Sequence, residues 1–505
     1  KMMNAEQFSV DKADKGSMYF KTSNSLWEYL DLISKGCKPY LLSGKKLFSP
    51  KVHRSIVPEV MLNPPLPIPS NRKKNPIVLT LKKYLYRVLD KEILDFISQM
   101  SATASELGVR VFVVGGVVRE LLTAYIEKGV ELDLREIDLS VEGKDAILFA
   151  TELQKRISGS KLHVYRDFNT ATIKLFKKIS GKKLGISFDF ATARKEMYTS
   201  GGALPMVDFS SIEDDLGRRD FTVNSMALSL NRKDFGRIYD FFSGQSDLKE
   251  KKLRILHSKS FFDDPTRVLR MLRFKDQLGF ELEKRTERLL RFSLAFGITQ
   301  NIRGFRLTRE LKSLFNGRDP IDGIEDLKKY DLIWEIFGIE IGDLTELNTL
   351  NTTVNWLKLI HPEIPTRKDL IVFGYFFRKN KGKGIKETFL FNRKELSIIK
   401  EIIQFRSSKF TRASKFSTFE KRLGKRSNEA RLFYLSLLKE EARERYIQYL
   451  LRSMEYSSPI PGAELKKMGY AGPEIGELLF KQKLLWLDGH SVSKEDIEKL
   501  AAQIK

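Results

Sequence analysis

Cysteine is nearly absent from this chain: Cys37 is the one residue of its kind in 505. That excludes a disulfide framework and any zinc site built on cysteines, and it fits a reducing compartment such as the cytoplasm. Long apolar runs are missing too. None approaches the ~18 residues that cross a bilayer. The start, Lys1-Met2-Met3-Asn4, lacks the shape of a signal peptide, so no membrane role is expected. No segment repeats and no tract is of low complexity. Acidic residues are in deficit, 65 Asp and Glu against 89 Lys and Arg, which leaves a net charge of +24. That surplus suits a polyanionic partner. Nucleic acid is the first candidate, although charge alone would serve an anionic membrane surface as well.

Core material is ample. Apolar residues make up 42% of the chain, with 32 Gly and 16 Pro, and the length allows two to four domains. Residues 1–76 are polar and irregular. They end in Asn-Pro-Pro-Leu-Pro-Ile-Pro-Ser-Asn-Arg-Lys-Lys-Asn-Pro (63–76), the composition of a semi-rigid linker behind an N-terminal extension. Leu81, Leu85, Val88, Leu89, Phe96, Ile97 and Met100 recur at helical spacing. Val111–Val114 reads as a buried strand, and Asp138–Val141, Ala171–Phe176 and Ile186–Phe190 as further strands with helical patterns between them. Residues 77–247 therefore read as a small α/β unit. Beyond about residue 250 no convincing strand appears, and residues 264–505 read as successive amphipathic helices. Residues 378–426 hold 16 Lys/Arg against 4 Asp/Glu, with Phe389, Phe391, Phe405, Phe410, Phe416 and Phe419 interleaved. Such a stretch is either a solvated basic face or a surface that grips phosphates.

The chemistry-bearing residues begin with Glu136-Ile137-Asp138, twenty residues after Gly115-Gly116. Residues i and i+2 of a strand share one face, and two carboxylates there can share hard divalent cations, which prefer oxygen ligands. The glycine pair closes an apolar run, where backbone amides can approach a phosphate. These are parts for Mg²⁺-dependent phosphoryl or nucleotidyl transfer. Alone, the acid pair is a solvated strand face and the glycines a turn. Asp189, set between Phe188 and Phe190, is a candidate third carboxylate that orients metal ligands or helps deprotonate an attacking hydroxyl; the alternative is a hydrogen-bonded strand acid.

Two further stretches carry charge at a density that packing alone does not explain. Residues 213–220 hold four acids and two arginines, costly unless paired or facing a ligand. Arg219 can fork onto phosphate oxygens. Asp220 and Asn224 are spaced to share one helix face and could hold a ribose hydroxyl; a capped helix start with salt bridges is the plainer alternative. Asp263-Asp264-Pro265-Thr266-Arg267 reads as a helix start. Asp264 and Arg267 then point the same way, as a capping salt bridge or as a base reader. A carboxylate accepting from an exocyclic amine beside a guanidinium donating to a ring acceptor suits cytosine and adenine, not uracil or guanine. Unpaired buried polar groups would make that rejection effective.

Together these stretches resemble the class II tRNA nucleotidyltransferases, the CCA-adding enzymes and their A-adding relatives in the polymerase-β-type superfamily, with bacterial poly(A) polymerases as close kin. The resemblance covers roughly residues 77–505. The family's Gly-Gly-x-Val-Arg-Asp followed by Asp-x-Asp falls on Gly115, Gly116, Arg119, Glu136 and Asp138. Its Arg-Arg-Asp-Phe-Thr-x-Asn falls on Arg218, Arg219, Asp220 and Asn224, and its Glu-Asp-x-x-Arg on Asp263, Asp264 and Arg267. A hinge-like element looks like Asp240-Phe-Phe-Ser-Gly244, a neck motif like Phe305-Arg306-Leu-Thr-Arg-Glu310, and a tail segment like Gly472-Pro473-Glu474-Ile475-Gly476. The chain departs from the pattern at Glu136 and Glu120, where Asp is usual, and at Asp263 and Phe305, where Glu is usual. Asp133 is the alternative metal ligand in another register, although Val141-Glu142-Gly143 favours the register chosen.

The resemblance implies an α+β architecture: a small head with a mixed β-sheet and flanking helices, then an elongated all-α neck, body and tail. The divisions expected are an extension and linker (1–76), a catalytic head (77–247), a neck with the base-reading helix (248–316), a basic body (317–430) and a tRNA-contacting tail (431–505). It implies CCA addition to tRNA from CTP and ATP, with Glu136 and Asp138 holding two Mg²⁺ ions; Asp189, from its own setting in the sequence, is the third catalytic candidate. The nucleotide-binding set is Gly115, Gly116, Arg119, Arg219, Asp220, Asn224, Asp264, Arg267 and Arg270. A flexible loop, absent from CC-adding members, is expected at Arg194–Met206 around Gly201-Gly202. No histidine stands in Phe168-Asn-Thr-Ala-Thr172, which speaks against the poly(A) branch. None of the five histidines (His53, His163, His257, His361, His490) is followed by Asp, so the phosphohydrolase activity that some relatives carry is not expected of these residues. The rivals are an A-adding enzyme that needs a separate CC-adding partner and a non-catalytic RNA-binding protein on a decayed scaffold, the latter supported by Glu136 alone.

Overall fold

The computed structural model describes residues 10–13, 17–20, 77–127, 132, 134–179, 182–197, 206–317, 319–360, 367–405, 410 and 413–502. The expected linker, Cys37, Asp133 and Gly201-Gly202 lie outside the described residues. The chain divides into two compact units, Lys1–Ile302 and Arg303–Lys505. In the first, β1 (Val10–Ala13) and β2 (Ser17–Phe20) form an antiparallel pair.

An eight-stranded mixed sheet frames the first unit. Its order is β3 (Ile77–Thr80), β12 (Arg237–Asp240), β11 (Ala227–Ser229), β4 (Arg110–Val114), β5 (Glu136–Glu142), β8 (Lys182–Thr192), β7 (Thr170–Ile179) and β6 (Lys161–Tyr165). Only β5 and β8 run parallel; the other neighbours are antiparallel. Alternation in β5 sets the two faces: Ile137, Leu139 and Val141 are buried, while Glu136 and Asp138 stand on the open side. Helices Lys91–Leu107 and Ala146–Gln154 cover the apolar face. Phe96 meets Phe188 at 4.3 Å between ring centroids, and Phe149 meets Phe190 at 5.8 Å. Each such buried ring contributes roughly 1.5–3 kcal/mol. The first of these helices stops at Gly108 in the left-handed region, φ 67°, and the second starts on Asp145, whose carboxylate accepts from the amides of Ile147 and Leu148.

Each expected strand is present, extended at its ends. The expected helical stripe from Leu81 to Met100 is instead two helices, Lys82–Val88 and Lys91–Leu107, separated by extended backbone at Leu89 and Asp90. Strands β3, β6, β11 and β12 were not legible: β11 is buried throughout and β6 is largely exposed on both faces, so neither alternates. The ends of the expected loop are paired strands, β9 (Arg194–Met197) with β10 (Met206–Phe209), and residues 198–205 between them lie outside the described residues. The expectation of no strand after residue 250 also fails, by one two-residue parallel pair, β13 (Lys252–Leu253) with β14 (Glu281–Leu282).

The second unit is helical, from Gly304–Phe315 to Lys494–Ala502. Its cores are aromatic. Phe337 lies 4.4 Å from Phe376 and 5.5 Å from Phe389, and Phe419 lies 4.4 Å from Phe410 and 5.4 Å from Tyr449. Several of the phenylalanines interleaved in 378–426 are thus core residues, while Lys383, Lys386, Lys394, Lys421, Arg422 and Lys425 stay exposed. Among the described residues no helix is long and apolar enough to cross a membrane.

Candidate active site

The register of β5 against β8 sets Asp138 opposite Asp189 and Glu136 opposite Ser187. All four point to the open face of the sheet. On the next strand Thr172 stands opposite Asp189 and its hydroxyl donates to Asp189 Oδ1 at 2.5 Å. Ser187 Oγ donates to the same oxygen at 3.4 Å. Asp138 reaches solvent, yet the protein around it strips enough water to push its pKa up. Repulsion from Asp189 and Glu136 adds to that, and Arg219 pulls the other way. Carboxylates gathered with too little positive charge are a fit for a hard divalent cation. Among the described residues no three His, Cys, Asp or Glu side chains form a ready metal cage. Mg²⁺ sites ordinarily combine one or two carboxylates with substrate phosphates and water, so that finding agrees with the donor set.

Gly115 ends β4 with φ 78° and ψ −139°, a backbone conformation that side chains resist. A Cβ there would lie 3.2 Å from Arg219 Nη1 and 3.6 Å from Asp138 Oδ2. Helix Gly116–Ile126 starts at this turn, beside the carboxylates. Arg219 is anchored by Asp215 (Nη2 to Oδ2, 3.1 Å), which also takes Arg218 (Nη2 to Oδ1, 2.7 Å). Burial opposes the charge of Asp215, but the two guanidinium groups overcome it and hold its pKa low. Arg219 Nε is buried with no acceptor among the described residues, a donor suited to an incoming anion. Asp138, Asp189, Thr172, Tyr165, Arg218 and Arg219 line one cleft of about 240 Å³.

A buried layer supports this cleft. Arg119 Nη1 donates to Asn224 Oδ1 at 2.5 Å, Asn224 Nδ2 to Asp220 Oδ1 at 3.2 Å, and Arg270 Nε to Asp220 Oδ2 at 2.9 Å. The Phe274 ring faces both arginines, at 5.5 Å from Arg119 and 5.7 Å from Arg270. Burial opposes the charge of Asp220, and Arg270 and Asn224 outweigh it, so its carboxyl titrates below the usual range. Burial lowers the pKa of Arg119 against the pull of Glu120 and Asp220.

The local structure departs from expectation in two ways. Asp220 and Asn224 do meet, but not along an α-helix. Helix Ile212–Gly217 ends before them, Asp220 accepts from the amide of Phe221 at 2.8 Å, and Thr222–Asn224 is a 3₁₀ turn. Helix Thr266–Leu278 starts as expected after Pro265, with Asp264 accepting from Thr266 N (3.0 Å) and Oγ1 (2.7 Å). Arg267, however, turns back to the backbone and donates to the carbonyls of Arg218 (2.6 Å) and Ser260 (3.3 Å). The hinge-like element is a tight cap. Asp240 accepts from the amides of Gly244 (2.9 Å) and Gln245 (3.0 Å), and a Cβ on Gly244 would sit 2.2 Å from the carbonyl of Thr222. Phe305, in the second unit, is 59% exposed. Arg218 was placed on the family motif without a role of its own; Asp215, Thr172, Tyr165 and Phe274 were not foreseen. Asp215 had a signal in its i, i+3 and i, i+4 spacing to Arg218 and Arg219; Thr172 and Tyr165 depend on cross-strand register, which sequence does not display.

Residues 111–254 match the family model described as the poly A polymerase head domain. The A-adding tRNA nucleotidyltransferase of Aquifex aeolicus is 32% identical over 397 residues, 74% of this chain and 44% of the relative. That of Geobacter sulfurreducens is 29% identical over 436 residues, 83% of this chain and 48% of the relative. A solved CCA-adding enzyme, in its apo form I, matches with a TM-score of 0.63 at 30% identity, over 85% of this chain and 98% of its own. This chain belongs to the class II CCA-adding enzyme and poly(A) polymerase family. It spans less than half the length of the two curated relatives. Members of this nucleotidyltransferase family generally use divalent metal ions.

Proposed function

We propose that this chain completes the 3′-terminal CCA of tRNA, using CTP and ATP and releasing pyrophosphate. The observation that carries the reading is the pairing of Asp138 with Asp189 on one sheet face, next to a strained glycine turn and an anchored arginine. The RNA 3′-oxygen attacks the α-phosphorus of the bound nucleotide, the α–β bridging bond breaks, and pyrophosphate carries away the electron pair. Asp138 and Glu136 would hold two Mg²⁺ ions, with Asp189 completing the trio. Bound there, the ions supply a lowered pKa for the attacking hydroxyl and neutralisation of the leaving group. Arg219, fixed by Asp215, holds triphosphate oxygens, and the amides following Gly115 allow close approach of phosphate. Arg119, Asn224, Asp220 and Arg270 form the buried frame against which the ribose is oriented. Asp264 and Arg267 read the base, which requires Arg267 to exchange a backbone carbonyl for a ring acceptor. Neck (248–316), body (317–430) and tail (431–505) grip the tRNA by shape and phosphate contact through their exposed lysines and arginines.

A second reading, addition of the terminal A alone, is favoured by the activity of the two curated relatives. Incorporation on three tRNA transcripts, ending before CCA, after C and after CC, with CTP, ATP or both, separates the two. Completion of all three supports CCA addition. Extension of the CC-ending transcript alone, by ATP, supports A addition. No incorporation with Mg²⁺ overturns both and leaves an RNA-binding protein without turnover.

A further inference from the structure

The acid-bearing face of the sheet does not end at Asp189. Cross-strand partners share a face, so the register continues each row outward to the edge strand. Asp138 and Asp189 lead to Thr172 and then His163. Glu136 and Ser187 lead to Lys174 and Lys161. Ser140 and Ala191 lead to Thr170 and Tyr165. The opposite face of β5, β8 and β7 is buried core, including Ile137, Phe188, Phe190 and Ile173. The outer rows are solvated, and they hold basic and aromatic groups where an ordinary edge strand would carry a plain charged surface. Tyr165 is 50% exposed and lines the same cleft as Asp138 and Asp189. Phe168, at the turn that joins β6 to β7, is 71% exposed. Neither ring has an aromatic partner among the described residues.

The groups suited to the triphosphate, Gly115 and Arg219, lie on the β4 side of Asp138. In-line displacement needs the attacking oxygen on the side away from the leaving group. That side is β8, β7 and β6. The step from β8 to β6 is two strand spacings, roughly 10 Å, the length scale of one nucleotide.

We propose that this outer strip seats the unpaired 3′-terminal nucleotide of the acceptor RNA, with Tyr165 as its stacking platform and Lys161 and Lys174 on its phosphodiester. The proposal rests on the nucleotidyl-transfer reading above. Aromatic stacking is tolerant of base identity because every base offers a π-face. One platform therefore serves a primer end that changes from one addition to the next. Tyr165 is a positioning residue: it fixes where the terminal ribose lies relative to Asp189 and does not touch the transferred phosphate.

The test uses the full chain and a tRNA transcript carrying 2-aminopurine as its 3′-terminal base. The wild type and Tyr165→Phe should quench the probe on binding, and Tyr165→Ala should not. In extension assays Tyr165→Ala should raise the KM for tRNA roughly tenfold, the scale of one lost base stack, with the KM for ATP unchanged and Tyr165→Phe close to the wild type. Lys174→Ala should keep the quench and raise the KM for tRNA less. Equal quenching by wild type and Tyr165→Ala, or a rise confined to the KM for ATP, overturns the platform while leaving nucleotidyl transfer intact. Quenching that depends on Tyr165 in a protein without transfer activity keeps the platform and removes the functional reading. Absence of both removes both.

Discussion

Two acid clusters lie close together in the first unit and are treated in opposite ways. Asp215 and Asp220 are buried, and each is met by guanidinium groups at hydrogen-bond distance. Their carboxyls are held below the usual range although burial opposes it. Asp138, on the open sheet face, is pushed the other way by lost water and by its two acidic neighbours. The first cluster uses its charge inside the fold. On the proposed reading, the second keeps its charge for a divalent cation. The difference separates a structural acid from a ligand-seeking one, and neither residue type nor local density does so, since all of these acids stand in charge-rich stretches of sequence.

The sharpest way to break the comparison is to remove one acid from each cluster. Asp138→Ala should abolish nucleotide incorporation, by roughly 10³-fold or more, and leave the melting temperature unchanged or slightly raised because like charges are relieved. Asp220→Ala should act in reverse order: it removes the buried carboxylate that accepts from Arg270, Asn224 and the amide of Phe221 and costs about 1–3 kcal/mol of stability, with activity falling because the frame loosens. Incorporation assays beside denaturant melts measure both. If Asp138→Ala destabilises as much as Asp220→Ala, the division between the clusters is wrong.

The alternation of Glu136, Ile137, Asp138 and Leu139 gave both the strand and the face its acids share, because a two-residue period is local. Partners that depend on register were hidden. Nothing in the spacing of Thr172 or Tyr165 announces that three strands align them with Asp189 and Ala191. The helix expected across Asp220 and Asn224 is not there: Ile212–Gly217 closes before Asp220, whose carboxylate oxygen then takes the next amide ahead of a 3₁₀ turn. The expected Asp264–Arg267 reading edge is legible as spacing, but Arg267 finds nearer acceptors in the backbone of Arg218 and Ser260. The aromatic run in 378–426 misled as well: Phe389 and Phe410, outside the helices, and Phe419, on helix Phe416–Leu423, all turn into the core while the lysines remain outside.

A smaller effect is expected at the join between the clusters. Gly115 holds a positive φ and leaves a Cβ only 3.2 Å from Arg219 Nη1. Gly115→Ala should cost roughly 1–3 kcal/mol in backbone strain and displace the guanidinium that faces Asp138, so the KM for the nucleotide should rise more than the KM for tRNA. Equal changes in the two KM values would mean that the turn serves the fold and not the triphosphate.

Asp263 tests the rule where both conditions mix, and its effect should be the mildest. It is largely buried, and loss of water pushes its pKa up to about 6, with Asp264 adding repulsion and Arg267 and Lys259 only partly offsetting it. His257 lies 3.7 Å away but cannot neutralise it, because burial and the same two cations push the imidazole down to about 3 and keep it neutral. A carboxyl whose folded pKa is raised binds its proton more tightly in the folded state, so stability falls as pH rises from about 4 to about 6 and stays reduced above that. Asp263→Asn removes the charge that causes the loss. The variant should therefore be more stable than the wild type by about 1–2 kcal/mol at pH 7, with the gap closing toward pH 4, in paired melts across that range. A gap that is absent at pH 7, or that widens as pH falls, would mean that Asp263 is neutralised by a partner and belongs with Asp215 and Asp220.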